Sequence, residues 1–187
     1  MEKKVKVSVD DWETSPDEVL LETPIMKLKS GLVKNRKTGR QRDFYSFDFP
    51  DWVNIIAVTE AGEMVLIEQF RYGSKKIEVE IPGGMIEPGE SPVVAGCREL
   101  LEETGFSGEN ARLLGRVNPN PALQANWCYT VLVENTVCSN HTNMDDMEDI
   151  DTVLKPVSEV YEMVRRGEIS HGLVLNALMF FEQITNG

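Results

Sequence analysis

The sequence predicts an α/β fold preceded by a β-rich segment. Residues 53–59 and 63–69 are dense in branched apolar residues, which indicates buried strands, and the turn residues 60–62 between them predict a hairpin. Strands that alternate with helices are typical of an α/β domain. Helices are predicted over three stretches with start and stop signals: 92–104, 158–166 and 171–184.

The 187 residues are enough for one domain with a small appendage, and 41% hydrophobic residues can form a packed core. We place the appendage, rich in β-strand signals, at residues 1–50 and the main domain at 51–187. In the appendage, residues 20–33 can hold one or two strands, and another strand is predicted at 45–49 after a turn at 35–39. Further strands are predicted in the main domain at 113–117, 127–134 and 150–154, with Ser158 and Ser170 as caps of its last two helices.

The composition argues against several classes of partner. A net charge of −12 disfavours a protein that tracks nucleic-acid phosphates, so we expect no nucleic-acid partner. No apolar run is long enough to span a membrane, and no apolar stretch of a signal peptide follows Lys4. The three cysteines are scattered without a CxxC pair, which is typical of reduced thiols and predicts a cytoplasmic protein.

The helix predicted over 92–104 has clear ends. Ser91 is a good N-cap, Pro92 suits the first helical position and Gly105 is a natural stop. On a helical wheel, one face, which includes Leu101, is apolar and is expected to be buried. The opposite face is expected to be open to a ligand, because only the small Ala95 and Gly96 lie among its charged residues: Arg98, Glu99, Glu102 and Glu103.

The three glutamates repel one another at spacings of three and four residues. A hard divalent cation such as Mg²⁺ would relieve this repulsion, since it prefers carboxylate oxygens and often bridges to substrate phosphates. The other interpretation is an amphipathic helix with a solvated acidic face. The glutamates alone favour the solvated face, so the choice depends on the residues around them.

The surrounding spacing matches a longer pattern. Gly84 is followed after five residues by Glu90, after seven more by Arg98-Glu99-Leu100, and then by Glu102-Glu103 and Gly105-Phe106. Every fixed position of the Nudix box is filled, so the sequence closely resembles a Nudix hydrolase. The resemblance implies a Nudix fold, an α/β/α sandwich with a mixed sheet, here with a small N-terminal β-sheet appendage. It also implies a hydrolase that cleaves a diphosphate.

The resemblance implies a role for each residue of the box. The Gly83 carbonyl, Glu99 and Glu103 are the expected ligands of Mg²⁺, for which Mn²⁺ can substitute. Glu102 either binds metal or acts as a catalytic base. Glu90 is expected to orient Arg98, a catalytic-site residue that in turn holds the glutamates.

Three flanking features resemble the ADP-ribose pyrophosphatase and nucleoside diphosphate sugar branch of the family. These are Gln69-Phe70-Arg71, the Glu-x-Pro-x-Gly run at 80–84, and Pro121 at fifteen residues beyond Phe106. Arg71 is expected to bind a substrate phosphate, although a surface arginine paired with an acid fits equally well. Glu80 either binds metal or holds the loop. The loop after residue 117 supplies the other substrate-binding candidates, which are Pro121, Gln124 and Asn126.

In this branch a glutamate in the loop before a late strand is the general base, and the matching candidates are Glu148 and Asp146. His141 and His171 are too isolated to suggest a triad or a zinc site. The resemblance also implies a homodimer formed through residues 1–50. The expected function is Mg²⁺-dependent hydrolysis of ADP-ribose or another nucleoside diphosphate sugar to a nucleoside monophosphate and a sugar phosphate. A GDP-mannose hydrolase and a non-catalytic nucleotide-sugar sensor remain alternatives.

Overall fold

The computed structural model describes residues 7–139, 142–143 and 149–185. These residues divide into two compact units. The first unit comprises Met1–Pro50 with Asn120–Asn126, and the second comprises Asp51–Pro119 with Trp127–Gly187. In the described part of the chain, no helix combines the length and apolar character that a membrane span requires.

The first unit is a four-stranded antiparallel sheet that follows a short 3₁₀ turn at Val9–Asp11. Its third strand is central, because it pairs with each of the other three. In the turn before the fourth strand, the side-chain oxygen of Asn35 accepts hydrogen bonds from the backbone amides of Lys37 and Thr38. Gly39 adopts a positive φ in the same turn. The strands are β1 (Trp12–Thr14), β2 (Glu18–Glu22), β3 (Lys27–Asn35) and β4 (Gln41–Asp48).

The second unit contains seven strands and three helices among the described residues. The strands are β5 (Trp52–Ala57), β6 (Glu63–Arg71), β7 (Lys76–Glu80), β8 (Gly83–Met85), β9 (Phe106–Val117), β10 (Cys128–Cys138) and β11 (Ile150–Pro156). The helices are α1 (Pro92–Thr104), α2 (Val157–Arg166) and α3 (Gly172–Thr185).

Two sheets form the centre of the second unit. One is mixed, in the order β8-β5-β10-β9, with β5 parallel to β10, and the other is antiparallel, in the order β11-β6-β7. Side chains on one face of β5, such as Ile55, pack in a buried cluster with Leu100 of α1. Those on its other face, such as Ile56, pack with Val160 of α2 and Leu178 of α3. Helices therefore cover both sides of the sheets, and the predicted α/β/α fold is confirmed.

The hairpin predicted between residues 53–59 and 63–69 is wrong as a pairing. Both strands exist and a tight turn joins them, in which Gly62 has a φ of 77°. However, β5 and β6 meet only at the isolated bridge between Val58 and Met64 and then enter different sheets. Both strands are largely buried, and each pairs with a strand that is distant in sequence: β5 with β10, and β6 with β11.

Several element boundaries also differ from the prediction. The glycine-rich run contains the short strand β8, which pairs with β5, and the strand predicted at 113–117 begins at Phe106. Helix α2 begins at Val157, so Ser158 lies inside it instead of capping it. Helix α3 begins at Gly172, one residue later than predicted, and the His171 carbonyl accepts a hydrogen bond from the Leu175 amide. In α3 the large apolar side chains of Leu175 and Met179 are exposed.

The ends of α1 are as predicted, but its orientation is not. Ser91 accepts a hydrogen bond from the Val94 amide, and Gly105 closes the helix with a φ of 70°. Ala95 and Gly96, which were expected on the open face, are buried against the sheet, whereas Leu101, expected to be buried, is 39% exposed. Small side chains allow the helix to approach the sheet closely, so part of the acidic face turns inward.

Candidate active site

Arg98 is the centre of the polar cluster on α1. Its Nε and Nη2 atoms donate to the two carboxylate oxygens of Glu90 over 3.0 and 2.9 Å. Its Nη1 atom donates to Glu99 over 2.9 Å and to Glu102 over 3.0 Å, and Nη2 also reaches the Met85 carbonyl at 3.1 Å. The expected contact between Glu90 and Arg98 is present, and one guanidinium connects the loop before α1 to two glutamates on it.

Two further carboxylates of the cluster lie against β8. Glu103 is only 4% exposed, and its Oε2 atom accepts a hydrogen bond from the Gly83 amide over 3.0 Å. The Glu99 carboxylate lies so close to Gly84 that a Cβ added there would overlap it. The absence of a side chain at Gly84 therefore makes room for a carboxylate beside the backbone of β8.

The charges of the cluster shift the pKa values of its members. The hydrogen bond from Arg98 lowers the pKa of the Glu90 carboxyl, although burial acts in the opposite direction. The hydrogen bond to Glu90 raises the pKa of Arg98 above its usual value, against the effect of burial and with further help from Glu99 and Glu102. Glu90 and Arg98 therefore remain an ion pair at neutral pH, and the formal charge of the four glutamates with one arginine is negative.

The donor set fits a hard divalent cation. Glu99, Glu102 and Glu103 offer carboxylate oxygens beside the backbone of β8, and such oxygens suit Mg²⁺ or Mn²⁺ better than zinc. Among the described residues, no three acidic, histidine or cysteine side chains converge closely enough to hold an ion. In this arrangement Arg98 contacts Glu99 and Glu102, and the Gly83 amide donates to Glu103.

A second polar cluster joins Arg71, Glu80 and His171. Glu80 is 3% exposed and accepts two hydrogen bonds from Arg71, at 2.7 and 2.9 Å, and its Oε2 atom also lies 2.9 Å from Nδ1 of His171. Burial alone would raise the pKa of Glu80, but the hydrogen bonds from Arg71 and His171 outweigh it and lower the pKa to about 2. Sequence reasoning missed His171, and the only signal in the sequence was the predicted start of a helix there.

The loop candidates lie in the first unit. The main chain of the loop 120–126 joins β4, because Phe47 donates to the Leu123 carbonyl and bridges to Gln124. Asn126 is buried, accepts a hydrogen bond from Gln124 at 3.0 Å and donates one to the Pro50 carbonyl at 3.1 Å. The side chain of Asn126 thus joins the loop to Pro50. Pro121 begins the turn at residues 121–123.

The candidate bases Glu148 and Asp146, and also His141, lie outside the described residues. Two contacts locate the described residues that flank positions 144–148. The Asn143 amide donates to the Glu102 carbonyl over 2.9 Å, and Ile150 begins β11 opposite Gln69 of β6. Asn143 is therefore anchored to the helix that carries the glutamates.

These features match known proteins. The model of the NUDIX domain family matches residues 48–175, so the chain belongs to this family. It is accordingly an enzyme of the Nudix hydrolase class, a class that generally uses divalent metal cations.

Individual relatives agree with this assignment. ADP-ribose pyrophosphatase from Bacillus subtilis (strain 168) is 25% identical over 134 residues, which cover 71% of this chain and 72% of the relative. Methanol dehydrogenase activator from Bacillus methanolicus is 26% identical over 165 residues, which cover 88% and 85%. The crystal structure of an ADP compounds hydrolase matches with a TM-score of 0.85 at 19% identity, covering 97% of this chain and 98% of that one, and this likeness concerns the fold.

Proposed function

We propose that the protein hydrolyses the diphosphate bond of ADP-ribose or another nucleoside diphosphate sugar, releasing a nucleoside monophosphate and a sugar phosphate. The observation that carries the proposal is the cluster of glutamates that Arg98 gathers beside Gly83 and Gly84. The similarity to an ADP-ribose pyrophosphatase supports the substrate class.

In the proposed reaction, the oxygen of a water molecule bonds to one phosphorus and the bridging P–O bond breaks. The leaving group is a phosphate monoester, and a carboxylate takes the proton from the water. Glu102, Glu148 and Asp146 remain the candidates for this carboxylate. The contact between Asn143 and the Glu102 carbonyl supports the acidic loop as a source of the base, because it anchors described residues near the loop to α1.

Mg²⁺, for which Mn²⁺ can substitute, is the proposed cofactor, held by Glu99, Glu102, Glu103 and the Gly83 carbonyl. When bound, it would offset the negative charge of the diphosphate and of the leaving group. Arg98 and Glu90 would orient the ligands without reacting. The excess of carboxylates over arginine in the cluster supports a cation here, since their mutual repulsion needs an opposing charge.

Arg71 is the proposed ligand of the substrate diphosphate. It ends β6, its side chain is 44% exposed, and Glu80 fixes its guanidinium with two hydrogen bonds. Gln69 precedes it by two residues and therefore points to the same side of the strand. The buried Nε2 atom of Gln69 has no hydrogen-bond partner among the described residues, so a substrate oxygen or a water there would satisfy it. Pro121, Gln124 and Asn126 remain proposed contacts of the loop.

We also propose a homodimer formed through an appendage of residues 1–50, attached to a catalytic domain of residues 51–187. The compact unit that includes Met1–Pro50 supports the division. A set of large apolar side chains exposed on the first unit supports the dimer: Val19, Leu20, Leu21, Leu32, Phe44 and Tyr45. Sedimentation of the wild type and of Leu20→Glu measures their oligomeric state and tests the dimer. If both proteins sediment as monomers, the proposed dimer is rejected.

A cytoplasmic location without nucleic-acid or membrane partners completes the proposal. The free thiols of Cys97 and Cys128 support a reducing compartment, and the net charge of −12 disfavours binding to phosphate backbones.

The deciding experiment is a substrate panel assayed with Mg²⁺ and again after chelation, with products identified by mass. It contains ADP-ribose, ADP-glucose, GDP-mannose, UDP-glucose, NADH, a dinucleoside polyphosphate and CoA. We expect metal-dependent release of a nucleoside monophosphate from a sugar diphosphate. Preference for GDP-mannose would favour a GDP-mannose hydrolase. Tight binding of a nucleotide sugar without any turnover would favour a non-catalytic sensor.

Substitution of the glutamates tests the assignment of the site. Glu102→Gln and Glu103→Gln each replace a negative oxygen with a neutral amide, so we expect both to abolish turnover of the substrate that the panel identifies. Glu162→Gln, on the exposed face of α2, is the control and should retain full activity. Unchanged hydrolysis in both active-site variants would reject the proposed metal site.

A further inference from the structure

His171 belongs to a cluster outside the Nudix box. The cluster joins three elements, because Arg71 ends β6, Glu80 ends β7 and His171 directly precedes α3. Glu80 and His171 are 91 residues apart in sequence, and their side chains meet at 2.9 Å. A buried carboxylate that contacts a strand end and a helix start connects the proposed phosphate-binding arginine to the fold.

The direction of the hydrogen bond follows from the charge of Glu80. The carboxyl is ionised at neutral pH, and an ionised carboxylate only accepts hydrogen bonds. We therefore assign the proton of the bond to Nδ1 of His171, so that this atom donates to Oε2. Arg71 Nη2 donates to the same oxygen at 2.9 Å, and Arg71 Nε donates to Oε1 at 2.7 Å.

These three donors determine the orientation of the carboxylate. Two come from Arg71, whose side chain is long, partly exposed and rich in rotamers, and the third comes from the shorter ring of His171. Without the bond from His171, this carboxylate would keep only the two hydrogen bonds from the partly exposed Arg71 side chain. With it, the carboxylate has a fixed plane, and the guanidinium that pairs with it shares that plane.

We propose that His171 is a positioning residue that acts through Glu80 to fix the guanidinium of Arg71 for binding the substrate diphosphate. This inference rests on the proposed function, because Arg71 is assigned there to the diphosphate. A side chain that is already held in its binding orientation loses less conformational entropy on binding. His171 thus affects the affinity for substrate and has little effect on the chemical step.

The first arm of the test compares three substitutions. The amide nitrogen of His171→Asn stands where Nδ1 stands, that of His171→Gln reaches the position of Nε2, and His171→Ala has neither donor. We expect His171→Ala and His171→Gln to raise KM about tenfold with kcat nearly unchanged, within the 10–100-fold range typical of such supporting contacts. We expect His171→Asn to restore most of the affinity. Asn176→Ala, which removes a local contact to the Gly172 carbonyl in α3, should leave KM unchanged.

The outcomes of this arm separate two roles for His171. Rescue by Asn and not by Gln supports positioning through Nδ1. Rescue by Gln and not by Asn overturns the proposal, because the residue would then contact substrate through Nε2. A wild-type KM in His171→Ala also overturns it. If His171→Ala does not fold, the Asn and Gln variants still decide between the roles.

The second arm needs no substrate. The hydrogen exchange of Arg71 Nε–H is followed by ¹⁵N NMR, with the signal assigned from its loss in Arg71→Lys. We expect slow exchange in the wild type and in His171→Asn, and faster exchange in His171→Gln. Equal exchange in all of them overturns the positioning role. The expected pattern without hydrolysis of any panel substrate would support the positioning of Arg71 and reject the proposed function.

Discussion

The Gly83 amide donates a hydrogen bond to the buried Glu103 carboxylate over 3.0 Å, although the two residues are twenty positions apart in sequence. This bond attaches α1 to β8 at the point where the glycine-rich run leaves the preceding strand. The bond supplies a hydrogen-bond donor to a carboxylate oxygen that is buried away from water. The glutamates of α1 are therefore held against a backbone strand at the edge of the mixed sheet.

The first prediction concerns the space beside this bond. In Gly84→Ala the new methyl group would overlap the Glu99 carboxylate, so we expect Glu99 to move and activity to fall about 10–100-fold. Gly73→Ala is the matched control, because an added Cβ meets no atom within 4 Å there. Steady-state rates of both variants provide the comparison, and equal rates would contradict the close approach of Glu99 to Gly84.

The second prediction concerns Arg98. Arg98→Lys retains one positive charge but cannot span both oxygens of Glu90 while reaching Glu99 and Glu102. We expect the Mg²⁺ concentration for half-maximal activity to rise about 10–100-fold, with a smaller change in the rate at saturating Mg²⁺.

The control for Arg98 is Arg112→Lys, which alters an exposed pair with Glu134. Exposed pairs contribute about 0–1 kcal/mol, so its metal dependence and stability should match the wild type. A metal titration of Arg98→Lys that coincides with that of Arg112→Lys would show that Arg98 does not organise the carboxylates.

The third prediction tests the orientation of α1 with two adjacent leucines. Leu100 is fully buried and Leu101 is 39% exposed. Leu100→Ala should lower the free energy of unfolding by about 2–5 kcal/mol, the range for buried leucines, and Leu101→Ala by much less. Urea denaturation of both variants measures the difference. Similar losses of unfolding free energy would contradict the observed orientation of α1 and favour the one that the helical wheel predicted.

The fourth prediction concerns pH and Glu80. Its folded-state pKa of about 2 lies below the value of about 4.3 expected for an unfolded chain. Its ionised form therefore stabilises the fold above the unfolded pKa, and this stabilisation is lost as the pH falls toward about 2. We expect Glu80→Gln to be about 1–3 kcal/mol less stable than the wild type near pH 7.

The stability difference for Glu80→Gln should narrow as the pH is lowered from about 4.5 toward 2. Chemical denaturation at a series of pH values measures it, with Glu162→Gln on the exposed face of α2 as the control. A stability difference between the wild type and Glu80→Gln that stays constant with pH would contradict the ionic pairing of Glu80 with Arg71.

The sequence was sufficient for features that depend on local contacts. The ends of α1 follow from Ser91, Pro92 and Gly105, because a cap or a left-handed stop depends on only a few neighbouring residues. The family follows from the spacing of the Nudix box, because all of its positions lie in one loop and the helix that follows it. The contact of Glu90 with Arg98 also lies within this short stretch, eight residues apart.

Only the tertiary structure decided the features that depend on distant partners. The pairing of β5 with β10, the inward turn of Ala95 and Gly96, and the contact of His171 with Glu80 each join segments far apart in sequence. A local pattern identifies which side chains are apolar, small or charged, but the free energy of their burial depends on what packs against them. The sequence by itself therefore determined the helix and the chemical groups of the site, and the packing of sheets and helices determined which of those groups meet.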